Sequence, residues 1–125
     1  MIRTLLLVGL GGFAGSSFRY LVQRMIASVT TLSFPYGTLT INISGSLLIG
    51  IIFGIAEKSD LLSPEARLFL ITGVLGGFTT FSTFTLDVMT LLRDSQYLYS
   101  FLYISVSLAG GIAATFSGFM ASKLF

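Results

Sequence analysis

The stretch from Gly76 to Phe84 concentrates residue types that could handle an ion without a charged group. It reads Gly-Gly-Phe-Thr-Thr-Phe-Ser-Thr-Phe and lies inside a run, Leu68 to Leu86, that contains no charge. Hydroxyl groups can donate hydrogen bonds to an anion, and the positive edge of a phenylalanine ring can face one. Adjacent glycines permit backbone shapes other than helix. The run is also long enough to cross a bilayer.

Irregular backbone within a membrane has few uses. Polar backbone groups in hydrocarbon need partners, so a broken helix is tolerated where it is buried in protein or lines a wet cavity. Broken helices at mid-membrane form ion sites in transport proteins. The alternative is a tightly packed helix crossing in which Thr and Ser bond to their own helix. Composition alone does not decide between a broken helix and a tightly packed helix crossing. The spacing of Phe78, Phe81 and Phe84 predicts that the rings lie along one helical face.

Two other segments repeat polar residues at helical spacing. Thr38, Asn42 and Ser46 recur every four residues, so the Asn42 amide is a candidate anion donor on an uncharged helix. The alternative for this face is hydrogen bonding between helices, worth about 0.6–2 kcal/mol. Near the C-terminus a second face contains Tyr103, Ser107, Gly111 and Thr115. Its neighbouring small residues would instead allow close helix packing, and the two interpretations are compatible.

The elements that must position these residues are four apolar segments. Each has the roughly 20 mostly apolar residues that a membrane span needs. Ser63-Pro64-Glu65 is a good helix start, with a cap residue, a proline in the first turn and an acid near the positive end. The predicted spans are Thr4 to Ala27, Ser33 to Ala56, Pro64 to Leu92 and Tyr97 to Ser122.

Composition excludes several classes of protein. The 125 residues predict a single domain, 1–125, with 54% hydrophobic and 10% charged residues, whereas soluble domains have roughly 25% charged residues. The seven cations form no patch, so nucleic-acid binding has no support. Histidine and cysteine are absent. Since no base, nucleophile pair or metal cluster appears either, the chain is not expected to be an enzyme.

The N-terminal segment resembles two motifs that we reject. A cleaved signal peptide would precede a soluble domain, but more membrane sequence follows. The run from Gly9 to Ala14 fits a dinucleotide fingerprint, but no acid occurs before Glu57 to bind a ribose. Gly11 and Gly15 instead predict a small-residue packing face.

The charges give a weak signal for orientation. Arg3, Lys58, Arg67 and Lys123 fall on one side of the predicted bundle, and Arg24 and Arg93 fall on the other, with Arg19 near its edge. Because the Lys/Arg bias sets orientation, the chain is a candidate for insertion both ways round. An antiparallel dimer would then form an inverted-repeat assembly.

These motifs together resemble the Fluc (CrcB) family of fluoride channels. The hallmark of that family's third membrane helix, Gly-Gly-x-Thr-Thr-Phe-Ser-Thr-Phe, is matched at residues 76–84. Further blocks match the other helices and extend the likeness over essentially the whole chain. They are Gly11 to Gly15 with Arg19, Pro35 to Asn42, Thr72-Gly73, and Ser107 to Gly110.

The resemblance implies an all-α membrane protein whose third helix is broken mid-membrane, assembled as an antiparallel, dual-topology homodimer. It implies a fluoride channel that exports the ion passively through two pores, in contact with lipid, in the bacterial inner membrane. Gly111 departs from the hydroxyl residue of some relatives, which interrupts the hydroxyl track of the fourth helix. The residues implied along the anion path are Asn42, Phe81, Phe84, Thr38, Tyr103, Ser107, Thr80 and Thr115.

The resemblance also implies a cofactor and a vestibule residue. A structural Na⁺ would lie at the dimer centre, held by the backbone carbonyls of Gly76 and Thr79, with no organic cofactor. Arg19 would attract anions into a vestibule, although a snorkelling cation at the interface is an equal alternative. Asp87 matches an acidic position of the family and is assigned no role.

The main alternative is a small dual-topology multidrug or guanidinium exporter. Such proteins need a carboxylate in the first helix to exchange a proton for a cationic substrate. The first span here contains Arg19 and no acid, which is the wrong sign for binding a cation. A membrane assembly factor would explain the small-residue faces but not residues 76–84.

Overall fold

The computed structural model describes residues 1–31, 33–58 and 61–124. Over this part of the chain the secondary structure is helical, and four spans are long and apolar enough to cross a membrane. Their ends lie within three residues of the predicted ends. Part of the predicted connector from Glu57 to Ser63 lies outside the described residues. The spans are α1 (Ile2–Val29), α2 (Tyr36–Lys58), the third span (Pro64–Arg93) and α6 (Tyr97–Ser122).

The third span is divided into several pieces. It begins where the Ser63 side chain caps the Ala66 N–H at 3.1 Å, which confirms the predicted helix start. Thr79 and Thr80 then interrupt it in extended conformation, with ψ of 158° and 118°, which confirms the predicted break. The pieces are α3 (Pro64–Arg67), a π-helix (Leu68–Leu75), α4 (Gly76–Phe78) and, beyond the break, α5 (Phe81–Arg93).

The adjacent glycines do not make the break, contrary to the sequence-based explanation. Gly76 has ordinary helical angles, φ −61° and ψ −36°, and no described glycine has a positive φ. The chain leaves the helix at two threonines, whose β-branched side chains favour extended backbone. Gly77 serves packing instead, because a Cβ there would lie 2.6 Å from the Gly12 carbonyl oxygen of α1.

Close glycine contacts pack α1 on the third span and α2 on α6. The predicted packing face of α1 is confirmed: a Cβ on Gly11 would lie 2.9 Å from the Gly73 Cα, and one on Gly15 would collide with the Val74 carbonyl. On the other side, α2 packs along α6, and a Cβ on Gly118 would overlap the Leu47 carbonyl. Close backbone approach of this kind is how helices associate where lipid removes the hydrophobic driving force.

Large apolar side chains remain exposed on the outer faces of α1 and α6. Leu10, Phe13, Ile112 and Phe116 are each more than half exposed. Such surfaces suit contact with hydrocarbon or with another protein chain.

Candidate functional site

A cleft of about 350 Å³ opens between α2, the break of the third span, and α6. It gathers five of the eight residues predicted along an anion path, together with both residues predicted to hold a cation. No charged side chain is among the described residues that line it. The five are Asn42, Thr80, Phe81, Phe84 and Ser107, and the two are Gly76 and Thr79.

The Asn42 side chain pairs with the backbone of Thr80 at the break. Its Oδ1 accepts a hydrogen bond from the Thr80 N–H at 2.9 Å, and its Nδ2 donates to the Thr80 carbonyl at 3.0 Å. These two bonds fix the orientation of the amide, since the reversed orientation would set donor against donor. An asparagine amide has two N–H bonds, so one of them is not used by this pair.

The other polar groups of the break are also engaged. The Thr79 N–H and hydroxyl both donate to the Leu75 carbonyl at 2.9 Å. The Thr79 carbonyl accepts a long hydrogen bond, 3.4 Å, from Nη1 of Arg19. The Thr80 hydroxyl accepts from the Thr83 N–H at 3.2 Å and so caps α5. Because α5 begins at the break, the positive end of its helix dipole lies at the cleft.

The phenylalanines of the motif separate into two environments. Phe81 and Phe84 face the cleft with ring centroids 5.6 Å apart, and Phe81 is 73% exposed in the single chain. Phe78 is 5% exposed and stacks on Phe18 at 5.5 Å. The prediction that three rings share one face is therefore wrong, because the extended residues 79–80 reset the helical phase between them.

The α6 residues differ in what their hydroxyl groups bind. The Ser107 Oγ is buried and has no hydrogen-bond partner within the described residues. The Thr115 hydroxyl donates to the Gly111 carbonyl at 3.1 Å and lines an adjoining groove that shares Ser46 and Ser107 with the cleft. Tyr103 is fully buried and packs on Phe84 at 5.2 Å.

Asp87 has a partner that the sequence did not reveal. The Tyr103 hydroxyl donates to its Oδ2 at 3.0 Å. Asp87 also lines a separate cleft with Thr38, Gln23 and Thr30. A carboxylate inside an apolar span requires a polar partner. The position of Asp87 in the sequence therefore predicts that a partner exists, but it does not identify Tyr103 as that partner. Thr38, Tyr103 and Thr115 thus lie outside the main cleft.

Comparison with known proteins gives consistent matches over nearly the whole chain. A family model described as CrcB-like protein, Camphor Resistance (CrcB), matches residues 6–119. The chain is 50% identical over 125 residues to the fluoride-specific ion channel FluC of Chlorobaculum tepidum, covering all of this chain and 98% of the relative. It is 48% identical over 119 residues to FluC of Chlorobium chlorochromatii, covering 95% and 92%.

A third relative agrees. The chain is 44% identical over 122 residues to the fluoride-specific ion channel FluC of Flavobacterium psychrophilum, with 98% of each chain covered. These relatives are named as ion channels and not as enzymes, in agreement with the prediction from composition.

Proposed function

The chain belongs to the CrcB family, and we propose that it conducts fluoride passively out of the cell across the bacterial inner membrane. Its four spans and its relatives make it a multi-pass membrane protein. The observation that carries the fluoride proposal is the cleft at the break, which is lined by two phenylalanine rings and by uncharged hydrogen-bond donors. Among these donors is the buried hydroxyl of Ser107, which has no partner among the described residues.

Neutral donors suit an ion that must pass through. Moving a bare ion into a low-dielectric medium costs tens of kcal/mol by Born reasoning, so the protein must replace the water that fluoride loses. A full positive charge in direct contact with the anion would hold it too firmly, because conduction requires binding weak enough to allow release. Hydroxyl and amide N–H groups and the edges of Phe81 and Phe84 fit that intermediate strength.

The donors have a spatial order in this proposal. The unused N–H of Asn42 and the first N–H groups of α5 contact the ion near the break. The Ser107 hydroxyl continues the path on α6. Thr115 extends it along the adjoining groove, where its hydroxyl would exchange its bond to the Gly111 carbonyl for one to the ion. Thr38 and Tyr103 lie toward the separate cleft of Asp87, at the other end of this path.

A Na⁺ ion fits the carbonyl groups of Gly76 and Thr79. In a continuous helix the Thr80 N–H would donate to the Gly76 carbonyl, but here it donates to Asn42. The carbonyl is thereby released, and Gly76 is exposed at the cleft. Hard cations prefer such oxygens. When bound between two protomers, the ion would supply a positive charge that holds two broken helices together.

Arg19 combines two roles in this proposal. Its guanidinium donates to the Thr79 carbonyl, which supports the break from the α1 side. Its charge also raises the local concentration of anions at the cleft, which Thr79 lines. The carbonyl oxygen has two lone pairs, so a bond from Arg19 leaves room for a cation. The exporter alternative gains no support, because α1 contains this cation and no carboxylate.

Liposome efflux tests the proposed function directly. We expect vesicles containing the purified protein to release fluoride, and to retain chloride, when the counter-charge is moved by a potassium ionophore. Protein-free vesicles are the control for leakage. Equal release of both anions would contradict selectivity, and release that requires a proton gradient would contradict passive conduction.

The assembly proposed here is an antiparallel homodimer surrounded by lipid. It is supported by the feeble cation bias between the two sides and by the exposure of Phe81 and Gly76 in the single chain. Two such chains related by a two-fold axis in the membrane plane would enclose both clefts.

We therefore expect a C-terminal tag to be found on both faces of the membrane. An impermeant cysteine reagent, applied to a variant with one added C-terminal cysteine, should label about half of the molecules from each side, since orientation follows the Lys/Arg bias and that bias is weak. Adding three lysines to the connector at 94–96 should shift the population toward one orientation. Complete labelling from a single side in the unmodified chain would contradict dual topology.

A further inference from the structure

Asn42 contacts the break in a way that an ion ligand alone does not need. Its amide bonds to both polar groups of one residue, Thr80, whose backbone is extended with φ −152° and ψ 118°. Two reciprocal bonds of this kind are what a strand residue exchanges with its neighbour in an antiparallel sheet. A side chain on α2 therefore replaces the missing strand neighbour of a single residue in the third span.

We propose that Asn42 is a positioning residue that keeps the third span broken, and that only one of its two N–H bonds is offered to the ion. The first part is independent of which ion is conducted. The second part rests on the proposed fluoride channel.

The alternative conformation of the third span shows why such a residue is needed. Thr80 is 8% exposed, so its N–H and carbonyl must find partners within the protein. Without Asn42, the partner that a continuous helix provides for the Thr80 N–H is the Gly76 carbonyl, which it would meet if α4 and α5 joined into one helix. Asn42 competes with that closure by providing both a donor and an acceptor to the extended backbone.

Joining α4 and α5 into one continuous helix would remove two features of the site together. The Gly76 carbonyl would return to helical hydrogen bonding, and Phe81 would rotate relative to α4 because residues 79–80 would take helical angles. Asn42 thus influences the position of the Phe81 ring and the release of the Gly76 carbonyl indirectly, through its two bonds to Thr80.

The ¹³C chemical shifts of the threonines test the positioning role of Asn42, and the measurement needs no fluoride. In the wild-type protein, threonine-labelled with ¹³C, Thr79 and Thr80 should show the Cα and Cβ shifts of extended backbone. The Asn42→Leu variant should lose these shifts and move toward helical values. Ser46→Ala, one turn along α2 and lining the same cleft, should keep them. Extended shifts retained in Asn42→Leu would overturn the proposal.

The wild-type protein offers a second measurement that does not depend on a variant folding. Asn42 is the only asparagine in the chain, so ¹⁵N-asparagine labelling yields a single side-chain NH₂ group with two distinguishable protons. Titration with sodium fluoride should move one proton resonance and leave the other, which is bonded to Thr80, unchanged. Movement of both would overturn the proposal. If neither proton resonance moves, but the extended threonine shifts are lost in Asn42→Leu, the positioning role is supported and the fluoride site at Asn42 is contradicted.

Discussion

Replacing Phe81 or Phe84 by isoleucine should slow fluoride efflux about a thousandfold while the protein still assembles. Isoleucine keeps an apolar side chain of considerable size but lacks the positive ring edge that can face an anion. If each ring replaces part of the water that fluoride loses, its removal adds about 4 kcal/mol to the barrier, which corresponds to roughly three decades in rate. The measurement is efflux from liposomes, normalised to the amount of dimer recovered by size exclusion.

The structure provides a matched control for bulk. Phe13 on α1 is 73% exposed, as is Phe81, and it is not among the residues that line the described clefts. Phe13→Ile should therefore conduct at the wild-type rate. Phe78→Ile is unsuitable for this comparison, because Phe78 is buried against Phe18 and its replacement should cost stability. Normal conduction by both Phe81→Ile and Phe84→Ile would show that the rings do not hold the ion.

The spans were predictable because they depend on local composition, whereas the break followed from the resemblance of residues 76–84 to the Fluc (CrcB) family. Mostly apolar runs of sufficient length specify helices in a membrane. At residues 76–84 composition alone was compatible both with a broken helix and with a tightly packed helix crossing. The small-residue face at Gly11 and Gly15 was predictable for a similar reason, since spacing alone places both residues on one side of α1.

The arrangement within the break could not be predicted in the same way. A helical period assigns Phe78 and Phe81 to one face, but the two extended residues between them change the phase by an amount that depends on ψ at Thr79 and Thr80. The role of the glycines was misjudged for a related reason. Glycine is compatible both with irregular backbone and with close helix packing, and only the contact with Gly12 distinguishes these for Gly77.

The polar pairs between distant residues could not be predicted from the sequence. Asn42 and Thr80 are separated by 38 positions, and Asp87 and Tyr103 by 16. Physical principle required that each buried polar group have a partner, but several hydroxyl groups were available to each. Packing of α2 and α6 against the third span selects among them. Gly45, which lies about one turn from Asn42, allows α2 to approach the break, because a Cβ there would collide with the side chain of Thr79.

Replacing Gly76 by valine should abolish dimer assembly and reduce fluoride efflux at least a hundredfold, as judged against the detection limit of the liposome assay. Within the protomer the change is mild. Gly76 has helical angles, and a Cβ there would meet only the Ile71 carbonyl oxygen, at 3.7 Å. A large loss must therefore arise outside the protomer, where we propose that the Gly76 carbonyl faces a Na⁺ ion and the partner chain.

Gly110→Val is the control variant. It tests whether any helical glycine in this protein tolerates valine poorly, in which case the effect at Gly76 would not be specific. A Cβ at Gly110 would lie 2.9 Å from the Cδ1 of Ile43, the far end of a flexible side chain that can move away. Both variants carry the same cost of valine in a helix, so Gly110→Val should assemble and conduct within a few-fold of wild type. If the two variants assemble and conduct equally well, Gly76 does not face a partner, and the proposed cation site at Gly76 and Thr79 is wrong.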